Sequence, residues 1–108
     1  MYSLFDEDQR EFIYADPAGL LMHSTSYRKT ASAATIDDIE KMRRKMIRAA
    51  GKTVADARKQ LKLNSHDINE FMCEAYDNVI VEFSKYATKF RNARVVQVRI
   101  TTEISYDD

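Results

Sequence analysis

From Ile68 to Phe90 one apolar stripe runs without a break, and it constrains the fold more than any other stretch. Ile68, Phe71, Met72, Ala75, Tyr76, Val79, Ile80, Phe83, Ala87 and Phe90 recur at the spacing of one helix face. Nothing interrupts the pattern until about Asn92. A long helix over about 65–91 follows, with Asn64 or Ser65 as its N-cap. Phe71, Tyr76, Ile80 and Phe83 are expected in its core, with Cys73 on or beside the stripe.

Two shorter helices are expected before it. Thr35 and Asp38 resemble a capping box, and Ile36, Ile39, Met42, Met46 and Ala50 then repeat at helical spacing. Gly51 reads as the stop of this first helix, and Thr53 with Asp56 as the start of a second, to about Lys62. Upstream, residues 11–27 read as a β-hairpin. Phe12-Ile13-Tyr14 leads into Asp16-Pro17-Ala18-Gly19, whose residues suit a type I turn, and Leu20-Leu21-Met22 leads out. Past the long helix the period becomes two: Val96, Val98 and Ile100 alternate with polar residues in a strand over 94–104. The expected fold is a single α+β domain over 1–108, in the order β-β-α-α-α-β. Its helical core spans 35–91, and its last strand pairs with the hairpin in a small antiparallel sheet.

Composition bounds the setting. A chain of 108 residues suits one domain. Asp6, Glu7 and Asp8 break the region where a signal peptide would need apolar residues, and Cys73 has no partner for an internal disulfide. A cytoplasmic location is the expectation. Two Gly and one Pro imply long regular elements.

The net charge of zero hides segregation. Residues 27–62 hold eleven Lys/Arg and four Asp/Glu, whereas residues 63–84 hold five acids and no base. On the first two expected helices Lys41, Arg44, Lys45, Arg48, Lys52, Arg58, Lys59 and Lys62 form a basic face. Asp67, Glu70, Glu74 and Asp77 form an acidic face on the long helix, opposite its apolar stripe. Either face is a solvated surface or a docking site, and the two faces are charge-complementary.

Catalytic groupings are not legible. Gly51-Lys52-Thr53 shares the end of a P-loop, but that motif needs Gly at position 46, which is Met. His66 and Cys73 lie seven residues apart on one helix, about 10 Å along its axis, beyond hydrogen-bond reach. Two His and one Cys are too few for a typical zinc site, and His23 reads as a surface strand residue. No cofactor, metal, membrane or small-molecule substrate is suggested.

Residues 54–71, with Leu61, Leu63, Ile68 and Phe71 at apolar contact positions, resemble the helix-turn-helix of phage-repressor-type regulators. Arg58 stands where that motif packs a small residue, and Lys62 replaces its turn Gly. Its second helix would offer His66, Asp67, Asn69, Glu70 and Glu74 to the DNA groove, with no base before Lys85. The leading expectation is therefore a non-enzymatic binding protein that regulates or inhibits a macromolecular partner through its charged helical faces. A phage- or plasmid-type accessory protein has this character. The partner would be another protein or a second copy in a homodimer, with nucleic acid on the basic first and second helices as a further option. The alternative is a DNA-binding transcriptional regulator using the helix-turn-helix-like segment.

Overall fold

A computed structural model describes residues 1–26, 32–63 and 69–99. Strands β1 (Tyr2–Asp6), β2 (Glu11–Ala15) and β3 (Leu21–Ser24) precede helices α1 (Ile36–Leu63) and α2 (Glu70–Asn92), and strand β4 (Arg94–Gln97) follows. The class is α+β: one four-stranded antiparallel sheet and two helices, in the strand order β3-β2-β1-β4.

The β2–β3 turn uses the residues its sequence offers. Gly19 takes a φ of 85° and donates to the Asp16 carbonyl, while Asp16 Oδ1 accepts from Leu20 N at 2.9 Å. The expected pairing of the last strand needs correction. β4 pairs with β1, a strand absent from the expected order, and β1 separates it from the hairpin. Asp6 explains why β1 can turn into β2: its Oδ1 accepts from Asp8 N at 3.0 Å and from Gln9 N at 3.4 Å. The turn closes on Arg10 in the left-handed region, at φ 56°. Beyond Gln97, Val98 N still donates to the Met1 carbonyl; residues 100–104 of the expected strand lie outside the described residues.

The expected three helices are two. α1 continues through Gly51 for 28 residues. A helix-interior Gly costs only about 1 kcal/mol relative to Ala, too little to stop a helix whose apolar face continues on both sides. Ala50, Val54 and Ala57 are buried there, and this packing overrides the local stop signal. Thr53, expected as a cap, instead returns its hydroxyl to the Ala49 carbonyl at 3.2 Å within the helix. Thr35 does cap α1, accepting from Asp38 N at 3.1 Å. α2 begins at Glu70 rather than near 65, because Asn69 is its N-cap and accepts from Met72 N at 2.9 Å. The candidate caps Asn64 and Ser65 lie outside the described residues.

The two helices form an antiparallel hairpin with heptad spacing. Arg43, Ile47, Ala50, Val54, Ala57 and Leu61 on α1 alternate steps of four and three, as do Cys73, Tyr76, Ile80, Phe83, Ala87 and Phe90 on α2. All twelve are buried or half-buried. Arg43 Nη1 donates to the Arg91 carbonyl at 2.8 Å, which fixes the register at the base. The core lies at the same base, where Leu4, Ile13, Ile39 and Phe90 are each 1% exposed. The sheet and the base of the hairpin form the head; the rest of the hairpin is an arm.

Candidate functional site

The arm sorts charge by geometry. The heptad residues turn inward, so on α1 the residues half a turn away must face out. Lys41, Arg44, Lys45, Arg48, Lys52, Arg58, Lys59 and Lys62 are all exposed. None of the eight makes an ion pair among the described residues. The uninterrupted helix joins the two groups expected on separate helices into one edge, about 31 Å from Lys41 to Lys62. Arg43, the base nearest the inner face, behaves otherwise: its Nε lies 3.3 Å from Glu40 and its Nη1 is bound to Arg91.

On α2 the acidic residues are exposed as well. Glu70, Glu74 and Asp77 make no ion pair among the described residues; Asp67 lies outside the described residues. No ion pair joins these acids to the basic residues of α1 among the described residues.

Sequence reasoning missed a second cluster, at the head. Asp6 is 6% exposed, and its Oδ2 accepts from Lys89 Nζ at 2.8 Å. His23 Nε2, on β3, stands 3.5 Å from the same oxygen without a hydrogen bond. Burial by itself would raise the Asp6 pKa. The Lys89 hydrogen bond, the Gln9 and Asp8 N–H groups and the Lys89 charge together outweigh it and hold the carboxyl below its ordinary value. The same bond raises the Lys89 pKa. An open cleft of about 580 Å³ lies beside this pair, lined in part by Glu7, Asp8, Lys85 and Thr88. Both Asp6 oxygens are already engaged, so the Asp6–Lys89 pair ties β1 to α2 and leaves no free Asp6 oxygen for the cleft. No sequence signal marks a pair 83 positions apart.

The remaining candidates are scattered. His23 is on β3 and Cys73 is a half-buried heptad residue of α2, while His66 lies outside the described residues. Among the described residues no group of three or more His, Cys, Asp or Glu is placed to hold a metal, and no helix is long and apolar enough to cross a membrane. Of the helix-turn-helix-like segment, Val54–Leu63 forms the end of α1 and Glu70 and Phe71 begin α2; residues 64–68 are outside the described set. Compared with known proteins, the chain matches no family model, no curated protein and no solved structure.

Proposed function

We propose that this chain is a non-enzymatic binding protein that regulates or inhibits a macromolecular partner, and that the charged edges of its helical arm are the docking surfaces. The observation that carries this reading is the basic edge: eight exposed Lys/Arg on one continuous helix, none in an ion pair among the described residues. Holding like charges along one helix is unfavourable, since i,i+4 pairs such as Lys41–Lys45, Arg44–Arg48 and Arg48–Lys52 repel by a few tenths of a kcal/mol each. A negatively charged partner would relieve that repulsion and gain from the long-range field in the encounter.

The test compares what stays bound to the purified chain and to two folded variants. Arg44→Glu/Lys45→Glu/Arg48→Glu reverses the basic edge, and Glu70→Lys/Glu74→Lys/Asp77→Lys reverses the acidic one. The expected result is that the first variant loses a defined partner that wild type retains. Identical bound material in wild type and both variants would contradict the reading.

A further inference from the structure

We infer that the basic edge of α1 binds the phosphate backbone of a nucleic-acid duplex, without reading its sequence. The inference rests on the binding function proposed above and names the partner class for its basic surface.

Shape and chemistry favour this partner over an acidic protein. Protein interfaces centre on desolvated anchors such as Trp, Tyr and other large side chains. Between Lys41 and Lys62 the exposed residues of α1 include no apolar side chain larger than Ala49 and Ala55. A surface of charge without anchors suits a rigid polyanion, whose attraction comes from counterion release rather than from filled pockets. Single strands are usually gripped by aromatic platforms, and this edge has none. A straight edge of about 31 Å is close to one turn of a duplex, about 34 Å.

Gly51 is an independent observation. It lies mid-helix and exposed, and a Cβ built on it would meet no atom within 4 Å. Nothing inside the protein needs a Gly there, although it weakens the helix relative to Ala. On the helix surface it sits beside Ala55, with Arg44 and Arg48 on its N-terminal side and Lys52, Arg58, Lys59 and Lys62 on its C-terminal side. Small residues amid the charges leave a shallow notch that lets a phosphate backbone come close to the helix.

The test is fluorescence anisotropy with a labelled 20-base-pair duplex of arbitrary sequence, titrated with the full chain at several salt concentrations. With four or more phosphates engaged, affinity should fall by about two orders of magnitude between 50 and 200 mM salt. Arg44→Glu/Lys45→Glu/Arg48→Glu should flatten the log–log salt slope by about 2.7, at roughly 0.9 for each phosphate no longer neutralised. Gly51→Leu, which changes no charge, should weaken binding several-fold, whereas Gly51→Ala should bind nearly as wild type does. No duplex binding at 50 mM salt, or equal binding by wild type and the triple variant, overturns the inference. Gly51→Leu binding as tightly as Gly51→Ala overturns the close approach at the notch. If the duplex is ignored while the triple variant still loses a protein partner, the binding function survives and this inference alone fails.

Discussion

Asp6 shows how one side chain can serve two scales of structure. One oxygen shapes the β1–β2 turn through two backbone N–H groups, and the other reaches across to Lys89 on α2. Its lowered pKa has a definite consequence for stability. The contribution is fully present above the ordinary carboxylate value of about 4 and is lost as pH falls through the lower folded value. Lys89 behaves in the opposite sense: its contribution is present below its ordinary value near 10.5 and is lost as pH rises through the raised one. Thermal melts across acid pH should therefore show Asp6→Asn less pH-sensitive than wild type below about pH 4. Lys89→Ala should cost about 2 kcal/mol, because it strips a buried carboxylate of its charged partner. Equal pH profiles for wild type and Asp6→Asn would mean that the pair contributes nothing. Phe90, 1% exposed, is the residue that joins the arm to the head. Phe90→Ala should cost about 3–5 kcal/mol by denaturant titration, well beyond any substitution at Phe71, which is 77% exposed.

The elements show where local signals succeed and where context overrules them. The β2–β3 turn was legible because Asp16, Pro17 and Gly19 each carry their own reason for bending the chain. The helical character of α2 was legible because its period persists over many turns. Phe71 was misassigned to the core, because a stripe of residues three or four apart does not say which of its borders turns to solvent. The heptad subset starting at Cys73 excludes Phe71 and would have placed it outside. Gly51 and Thr53 imitated a helix stop and start, and the apolar face that continues past them outweighed the mimicry. β1 was missed for a different reason: Ser3, Leu4 and Asp6 are all buried, so no polar–apolar alternation marks the strand. The charged residues of the candidate edges were legible one by one. Their union into a single edge was not, because it depends on the continuity of α1. Gly51→Ala should raise thermal stability by roughly 0.5–1 kcal/mol, and Asn69→Ala should lower it by about 1 kcal/mol through loss of the α2 cap. A destabilising Gly51→Ala would point to a break in the helix at that position.

At the scale of the whole molecule, shape and charge act together. The radius of gyration is 18.0 Å, against about 13 Å for a compact domain of this length. Extents of 71 × 30 × 23 Å belong to a small head with an arm projecting from it. The arm exposes large surface for its mass, and the eight basic residues of α1 lie exposed along its length. Everything proposed for that edge requires α1 to be one straight helix through Gly51. Arg44 and Lys62 test this directly, since 18 residues make five full turns and put both side chains on the same azimuth. Spin labels at these two positions, read by pulsed electron resonance, should give a narrow distance distribution corresponding to a backbone separation of about 27 Å. A broad distribution, or one centred well below about 20 Å as a helix stop and reversal at Gly51 would produce, would contradict the continuous basic edge.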